Sequence, residues 1–203
     1  MTFARDPATA AYYDRRAAEY DDWYEGTGLH AARSRPGWSD EVAALVALVR
    51  GLEPARTLDV ACGTGFMTRH HRGEVVGLDQ SESMLEVARE QVPDAEFVQG
   101  DALDLPFPDG SFDRLFTSYF YCHLEEPERQ RFLREARRVA LELVVVGTIL
   151  GAGEEPARWD ERVLKDGSRW KVFKRVFVPD ELAEELGGRV LHRSRLFVMV
   201  AAP

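Results

Sequence analysis

A glycine-rich turn that follows a short apolar run is the segment of this sequence best suited to ligand chemistry. The run Thr57-Leu58-Asp59-Val60 stops at Ala61-Cys62-Gly63-Thr64-Gly65. Such a turn at the carboxyl end of a buried strand lets a ligand approach bare backbone. A structural turn that needs glycine for its backbone angles gives the same pattern. A dinucleotide-binding turn fits poorly, because Ala61 replaces the first glycine and Phe66-Met67-Thr68 follows Gly65.

Two acidic residues follow the next two predicted strands. Asp79 ends the run Val75–Leu78, and Asp101 comes directly after Gln99-Gly100. A carboxylate in the first position can accept hydrogen bonds from both hydroxyls of a ribose. Asp101 and the backbone amide of Ala102 could meet the edge of an adenine. Asp79 has a structural alternative as a helix N-cap, a role that Ser81 could also fill.

One histidine has a position suited to proton transfer. His123 follows Ser118-Tyr119-Phe120-Tyr121-Cys122 at the end of a predicted strand. A base there could take a proton from a hydroxyl or an amine. The structural alternative is a histidine that bonds to backbone and orders this loop. The aromatic run is typical of a core, although we expect one of its rings to face a substrate.

Basic residues are concentrated in one segment of an acidic chain. The 203 residues contain 26 Lys and Arg against 35 Asp and Glu, a formal charge of −9. Between positions 158 and 178, three acidic residues accompany seven basic ones, Arg158, Arg162, Lys165, Arg169, Lys171, Lys174 and Arg175. This segment is either a solvated face or an anion-binding surface.

Asp166-Gly167 predicts that the basic segment is a β-hairpin with a two-residue turn. In that register Arg162 faces Lys171, and two opposed cations are unfavourable unless an anion lies nearby. Arg162 and Lys174 are the candidates for binding it. They fall on opposite strand faces in this register, so a shared site needs a bulge, an end twist or a second subunit.

The hydrophobic pattern predicts an α/β fold. A helix over Thr9–Tyr24 and one ending at Gly51 precede strands at 57–60, 75–78, 96–98, 114–117 and 143–146. Helices are expected over 81–91, 128–139 and 179–186, with a short crossover helix around Phe66–Arg72. Two closing strands, 190–191 and 196–200, are joined too closely to be parallel. The prediction is a Rossmann-like three-layer α/β/α sandwich whose seven-stranded, mostly parallel sheet has an antiparallel carboxyl-terminal pair and an inserted hairpin.

Composition excludes several classes of protein. No apolar run approaches 18 residues, and residues 1–10 lack the basic start and apolar stretch of a secretory signal, so we expect a cytoplasmic protein without a membrane span. Cys62 and Cys122 have no metal-ligand spacing, so we expect no metal. The negative bulk charge argues against nucleic acid as a partner.

From about Tyr12 to Val146 the sequence resembles the class I S-adenosylmethionine-dependent methyltransferases. The resemblance implies S-adenosyl-L-methionine as cofactor. The residues implied for its methionine half are Asp59, Ala61, Cys62, Gly63 and Gly65, with Thr117 and Ser118 beside the amino group and sulfonium. Those implied for its nucleoside half are Asp79 and Gln80 at the ribose, and Met84, Asp101 and Ala102 at the adenine.

Two other segments resemble parts of small-molecule methyltransferases. Tyr12–Asp21 is similar to an amino-terminal lid helix, which implies that Tyr13, Arg16 and Tyr20 close over the carboxylate end of the cofactor. The basic hairpin is similar to one in O-methyltransferases that act on phosphonates, where Arg162 and Lys174 stand at anion-binding positions. Two departures are the short segment after Gly65 and a missing glycine pair before the fifth strand.

The sequence therefore predicts a single methyltransferase domain over 1–203, with lid helices in 1–50, a cofactor-binding core in 57–150, a hairpin in 151–178 and a terminal helix and strand pair in 179–203. We expect methyl transfer to a small-molecule acceptor, at an oxygen of an anionic metabolite, with His123 catalytic and Tyr119, Arg162 and Lys174 binding substrate. The hairpin is expected to lie over the cofactor mouth, on its own chain or on the other chain of a homodimer. The alternatives are an RNA methyltransferase and a non-catalytic S-adenosylmethionine-binding protein.

Overall fold

The computed structural model describes residues 6–31 and 36–203 of the chain. The predicted lid region 1–50 includes residues 1–5 and 32–35, which lie outside the described residues. The strands of the main sheet are β1 (Thr57–Val60), β2 (Val75–Asp79), β3 (Glu96–Gln99), β4 (Phe112–Ser118), β5 (Ala140–Thr148), β8 (Arg189–Arg193) and β9 (Phe197–Ala202), and β6 (Ala157–Val163) and β7 (Arg169–Arg175) form a separate hairpin. The α-helices are α1 (Pro7–Arg16), α2 (Asp22–Glu25), α3 (Trp38–Gly51), α4 (Glu82–Gln91), α5 (Glu126–Val139) and α6 (Pro179–Leu186).

The main sheet has seven strands in the order β3-β2-β1-β4-β5-β9-β8. The first five are parallel, whereas β9 pairs antiparallel with both β5 and β8. Every residue of β1 and of β9 is buried. Continuous burial is expected of strands that helices cover on both faces. The predicted three-layer α/β/α fold is confirmed.

Two apolar layers hold the helices against the sheet. On one face α3 contributes Leu45 and Val49 to a cluster with Phe116 and Val144. On the other face α5 and α6 pack against β1, β4 and β5, with Phe132 and Leu182 almost fully buried. Because both faces are occupied, open space for ligands is left at the carboxyl edge of the strands, where the turns meet.

The prediction of one helix over Thr9–Tyr24 is wrong, because the chain bends after Arg16. Helix α1 gives way to a 3-10 turn over Ala17–Glu19 and then to the short helix α2. We call residues 7–25 the lid. The stripe of tyrosines has helical spacing, but it does not continue along one straight helix.

Side-chain hydrogen bonds explain the bend of the lid. The Ser81 hydroxyl donates to Asp14 at 2.5 Å, and the Thr64 hydroxyl donates to Asp21 at 2.5 Å. The Gln91 amide also donates to Asp21, at 2.9 Å. Thr64 and Ser81 belong to turns after different strands, so the lid must bend to reach both. These tertiary bonds outweigh the local helical pattern.

The crossover helix predicted around Phe66–Arg72 is replaced by a single 3-10 turn at Thr68–His70. Strands β1 and β2 are neighbours in parallel, with Thr57 opposite Val75. The chain must therefore return along the whole strand within the fourteen residues 61–74, which also include the glycine-rich turn. At Gly73 (φ +98°) a Cβ atom would lie 2.5 Å from the carbonyl oxygen of Ala55, so the return ends directly against the backbone that precedes β1.

The predicted register of the hairpin is wrong by one residue. Arg162 pairs with Trp170, and Lys171 pairs with Glu161 instead of Arg162. A one-residue slip moves every side chain of one strand to the other face relative to its partner. Consequently Arg162 and Lys174 lie on the same face of the hairpin, which needs neither a bulge nor a second subunit.

The physical reason for the slip is a three-residue connection in place of the expected two. The Leu164 amide donates to Ser168 O at 3.1 Å, and the Gly167 amide donates to Leu164 O at 2.9 Å. Gly167 has a φ of +82°, the left-handed conformation that closes three-residue hairpin loops. Asp166 stabilises this loop by accepting the Ser168 amide at 2.8 Å.

Candidate functional site

Strained backbone marks the carboxyl edge of the sheet. Ala61 and Tyr119 are the non-glycine residues with positive φ in the described chain, at +56° and +57°. Ala61 follows β1 and Tyr119 follows β4, and these strands are neighbours. Strain of this kind costs about 1–3 kcal/mol per residue and is concentrated at functional sites. The two positions flank one cleft.

An inner pocket of about 530 Å³ of free space, counted to its open mouth, occupies this cleft. Its walls are mostly small or apolar, and Asp79 is its carboxylate. The lining residues are Tyr13, Tyr20, Ala61, Gly63, Leu78, Asp79, Gln80, Met84, Gly100, Ala102, Ser118, Tyr119, Phe120 and His123. Nine of these were predicted as cofactor-binding residues from the sequence.

Asp79 is anchored by backbone at the end of β2. Its two oxygens accept the amides of Gly63 and Ser81, each at 2.9 Å. Burial raises the pKa of the Asp79 carboxyl above its ordinary value, against the hydrogen bonds that lower it. The alternative role as helix N-cap belongs to Ser81, whose hydroxyl accepts the Met84 amide at 3.2 Å. Each Asp79 oxygen retains a lone pair for a further donor.

Gly63 leaves room for the lid. Its φ is +55°, and a Cβ atom there would lie 3.3 Å from the Tyr20 ring. The Tyr20 ring therefore lies directly against the glycine-rich turn. The Arg16 guanidinium lies 4.6 Å from the centre of the same ring and 5.7 Å from that of Tyr12. The lid thus borders the inner pocket through Tyr13 and Tyr20.

Several predicted cofactor residues lie behind the pocket wall. Asp59 is buried and accepts the Thr68 hydroxyl at 2.6 Å, and burial raises its pKa to about 7. Thr117 donates to Val60 O at 2.8 Å and so ties β4 to β1. Asp101 accepts the Leu103 amide at 2.8 Å and shapes the turn that presents Ala102.

Two other predicted residues of the glycine-rich turn are also outside the lining. The Cys62 thiol is buried behind β2, where a Cβ atom on Gly77 would approach it to 3.0 Å. Gly65 (φ +79°) packs toward Val92 and Ala88 of the α4 region. Both positions support the turn from the side opposite the pocket.

An outer pocket of about 860 Å³, also counted to its open mouth, lies between the lid and the hairpin. Its lining includes residues of both and of the turn after β4, namely Tyr12, Tyr13, Arg16, Glu19, Tyr20, Asp22, Trp23, Leu29, His30, Tyr119, Cys122, His123, Thr148, Arg162, Val163, Leu164, Val172 and Lys174. Tyr13, Tyr20, Tyr119 and His123 line both pockets. The two pockets therefore meet at these four side chains.

His123 is bonded to the hairpin. Its Nδ1 lies 2.6 Å from the carbonyl oxygen of Phe173. A carbonyl only accepts, so Nδ1 carries the proton and Nε2 is the acceptor nitrogen of the neutral ring. Burial lowers the pKa of His123 to about 3, which keeps the ring neutral near pH 7. The backbone bond of the structural alternative is thus present, and it leaves the tautomer that a base requires.

Most cations of the hairpin have carboxylate partners. The pairs are Arg158 with Asp160 and Glu154, Arg162 with Asp160, Lys165 with Asp22, Arg169 with Glu161, and Arg175 with Glu185. Lys174 makes no such pair within residues 6–31 and 36–203. Burial lowers the pKa of the Lys174 ammonium. Arg162 and Lys174 both face the outer pocket, where Arg16 is a third cation.

The sequence analysis missed several lining residues. Leu78, Gly100 and Phe120 lie in the inner pocket directly beside predicted residues, and their positions next to the strand ends could have identified them. Tyr12, Leu164 and Val172 form a small buried cluster between lid and hairpin. No local pattern could have shown that cluster, because its members are distant along the chain.

The described residues hold no group of three His, Cys, Asp or Glu side chains arranged for a metal ion. Cys62 and Cys122 are free thiols, and burial raises the pKa of Cys122 to about 11. No helix among the described residues has the length and apolar character needed to cross a lipid bilayer.

Known sequences place the central part of the chain in a family. A profile described as methyltransferase domain matches residues 58–142. A demethylmenaquinone methyltransferase of Thermotoga maritima is 40% identical over 100 residues, which are 47% of this chain and 43% of that protein. The enzyme of the same name from Renibacterium salmoninarum is 35% identical over 128 residues, 62% of this chain and 52% of its own. The chain thus spans about half the length of the curated relatives it matches.

Solved structures match nearly the whole chain. A DhpI–SAM–HEP complex superposes with a TM-score of 0.74 at 26% identity, covering 97% of this chain and 96% of that one. A DhpI–SAH complex gives a TM-score of 0.72 at 28% identity, covering 96% and 94%. Together with the strand order and the matched profile, these similarities confirm the resemblance seen in the sequence. Residues 58–142 match a methyltransferase domain, and the chain has the fold of the S-adenosylmethionine-dependent methyltransferases, as the sequence resemblance predicted.

Proposed function

We propose that this chain transfers the methyl group of S-adenosylmethionine to an oxygen of a small anionic molecule. The observation that carries the proposal is the junction of two chemically different pockets at Tyr119 and His123. The inner pocket has one carboxylate, whereas the outer pocket holds the cations Arg16, Arg162 and Lys174, and its two carboxylates, Glu19 and Asp22, are bonded to Lys165. A neutral nucleoside and an anionic acceptor would each find a complementary environment.

The inner pocket fits S-adenosylmethionine by the chemistry of its walls. Asp79 is buried and anchored by two amides, and each of its oxygens can accept one more hydrogen bond, which suits the two hydroxyls of a ribose. A Cβ atom on Gly63 would enter the space between the turn and Tyr20. The missing side chain lets the Tyr20 ring lie against this turn, and the backbone of the turn lines the pocket beside it.

Each part of the inner pocket has a role in this proposal. The apolar slot that would hold the adenine is formed by Leu78, Met84, Gly100, Ala102 and Phe120. Asp79 and Gln80 would meet the ribose, and Ala61, Gly63 and Ser118 would meet the methionine half, with Tyr13, Arg16 and Tyr20 closing over its carboxylate. Asp59, Cys62, Gly65, Asp101 and Thr117 then act indirectly, by fixing the turns that present these residues.

When bound, S-adenosylmethionine supplies a methyl group on a cationic sulfur, and transfer needs an acceptor oxygen about 3 Å from that carbon with water excluded. The lid tyrosines exclude water from the junction. Arg162 and Lys174 hold the anionic group of the acceptor and so orient its oxygen. Where that oxygen carries a proton, Nε2 of His123 receives it, and an ionised oxygen needs only to be positioned.

The ion pairs of the hairpin favour a small acceptor over RNA. Apart from Arg162 and Lys174, which the proposal assigns to the acceptor, four of its five other cations pair with carboxylates in the described structure, so few remain for phosphates along a strand. The names of the relatives agree with small acceptors, since demethylmenaquinone methyltransferases and DhpI are among them. The hairpin contacts the lid of its own chain. A homodimer and a cytoplasmic location stay predictions.

The test uses S-adenosylmethionine labelled in its methyl group and acceptors in matched pairs. Each pair is a short hydroxy compound with and without a carboxylate, phosphate or phosphonate. We expect label in the anionic members, detected by mass spectrometry of the small molecules. Transfer only to neutral members would overturn the anionic acceptor. Transfer to RNA, or tight cofactor binding with no transfer to any acceptor, would favour the two alternatives.

A further inference from the structure

One residue at the tip of the hairpin, Lys165, contacts two carboxylates of the lid. Nζ of Lys165 lies 2.6 Å from Oδ2 of Asp22. The backbone amide of the same lysine donates to both carboxylate oxygens of Glu19, at 3.1 and 3.2 Å. Two carboxylates of the lid are therefore committed to a single residue of the hairpin.

Apolar packing and a second ion pair surround this contact. Tyr12 of α1 is buried against Leu164 and Val172 of the hairpin, and its ring centre lies 5.9 Å from that of Trp170. Arg15 reaches Asp166 at 3.3 Å. The lid and the hairpin tip are thus joined on both sides of Lys165, although they are about 150 residues apart in sequence.

Gly28 provides the space in which the Lys165–Asp22 pair lies. Its φ is +51°, and a Cβ atom there would lie 2.2 Å from Oδ2 of Asp22 and 3.0 Å from Cε of Lys165. The Thr27 hydroxyl donates to Oδ1 of Asp22 at 2.7 Å and fixes the carboxylate in this direction. Thr27 and Gly28, which follow the lid, therefore accommodate and orient the Lys165–Asp22 pair.

We propose that Lys165 is a positioning residue: it clasps the hairpin to the lid and so keeps the lid closed over both pockets. The clasp consists of the contacts of Lys165 and Asp166 with Arg15, Glu19 and Asp22. It acts on ligands through Tyr13 and Tyr20, which lie on the same lid and line both pockets. Opening of the clasp would release these two side chains and so speed the departure of a ligand from the inner pocket.

The effect of the clasp on ligand release rests on the proposed function, whereas its effect on the lid does not. The first measurement is therefore hydrogen exchange of the α1 amides in the protein without ligand. The second is the release rate of S-adenosylhomocysteine, followed by stopped-flow displacement. An exposed ion pair contributes little by itself, so we expect Lys165→Met to speed both by about threefold to fivefold.

Gly28→Ala tests the same clasp by a steric route. The added methyl group collides with Asp22 and Lys165, and we expect α1 exchange and ligand release to rise by about tenfold. Gly110→Ala is its control, because Gly110 also has positive φ (+64°) but open space around it. Arg169→Met is the control for Lys165→Met, since Arg169 pairs with Glu161 inside the hairpin.

The outcomes separate the two proposals. Faster α1 exchange in Lys165→Met and Gly28→Ala, with both controls at the wild-type rate, supports the clasp. Unchanged exchange in both variants, or equal increases in the controls, overturns it. If exchange responds as expected but the wild-type protein does not bind S-adenosylhomocysteine, the clasp stands and the proposed function fails.

Discussion

The inner and outer pockets meet at the same four side chains but are built from different parts of the fold. Turns at the sheet edge form the inner pocket, and its one carboxylate is fixed by backbone amides. The lid and the hairpin form much of the outer pocket, and its charged side chains come from both. On the proposed function, the sheet edge therefore determines which cofactor is used, and the two added elements determine the acceptor.

The largest expected effect is at the junction of the two pockets. Replacing His123 with Ala removes Nε2, the nitrogen proposed to take the proton of the methyl acceptor. We therefore expect kcat to fall by roughly a hundredfold, the low end for a general base. The low end applies because a group with a pKa of about 3 is a weak base. Affinity for S-adenosylmethionine, measured by calorimetry, should stay near the wild-type value.

His71→Ala is the matched control for this substitution. His71 is a second half-buried histidine, with a pKa lowered to about 3 by burial, and its ring packs on Phe116 outside both pockets. Both substitutions should lower the melting temperature, but only His123→Ala should lower turnover per folded molecule. Equal turnover in the two variants would leave His123 with a structural role alone.

The second prediction concerns a substitution in the inner pocket, at a residue that does not line the outer pocket. Asp79→Ala removes the carboxylate proposed for the ribose, so affinity for S-adenosylmethionine should fall by about 1.5–3 kcal/mol, or roughly 10- to 150-fold. Asp113→Ala is its control, because Asp113 also accepts a backbone amide, that of Arg56 at 2.8 Å, but at the opposite edge of the sheet. A dissociation constant that is unchanged in folded Asp79→Ala would remove this residue from the cofactor site.

These two pockets also differ in how far sequence could predict them. Gly63, Asp79 and Met84 could be assigned because each stands at a fixed distance from a strand end in a contiguous motif. Asp59 and Thr117 belong to the same motifs but lie behind the wall, bonded to Thr68 and to Val60. Motif membership shows that a residue builds the site, and the orientation of its side chain decides whether it lines the pocket.

The outer pocket depends on contacts that no local pattern contains. Asp166-Gly167 predicted a hairpin but not the length of its loop, and one extra residue reverses which cations share a face. The lid bends because Asp14 and Asp21 bond to turns far along the chain. Apolar runs within the sequence identify the strands, whereas hairpin register and lid shape depend on tertiary bonds.

The third prediction concerns pH and folding stability. Burial lowers the pKa of His123 from about 6.5 to about 3 in the folded protein, so the unfolded chain binds the extra proton between these values. The contribution of the neutral ring to the free energy of unfolding is fully present well above pH 6.5, and it is lost as the pH falls toward 3. Between pH 8 and pH 5 the loss is about 2 kcal/mol, by proton linkage.

Urea unfolding of the wild-type protein and of His123→Gln over this pH range measures the effect. The difference in unfolding free energy between the two should shrink by about 2 kcal/mol as the pH falls from 8 to 5. His70 and His71 have lowered pKa values in both proteins and cancel in the comparison. A difference that is constant with pH would mean that His123 is not held neutral by the fold.

The last and smallest effect separates the two faces of the hairpin. Lys174 faces the outer pocket without a carboxylate partner in the described chain, while Lys171 is exposed on the opposite face across from Glu161. Lys174→Met should raise KM for an anionic acceptor about tenfold, the ~1.4 kcal/mol at the low end for a charge-assisted contact, with kcat nearly unchanged. Lys171→Met removes the same charge from the other face of the hairpin, so the KM of this variant should equal that of the wild type. The predicted two-residue turn would put Arg162 opposite Lys171, so a larger effect in Lys171→Met than in Lys174→Met would contradict the register described here. Equal effects would mean that both lysines act only through the overall charge of the hairpin, without binding the acceptor directly.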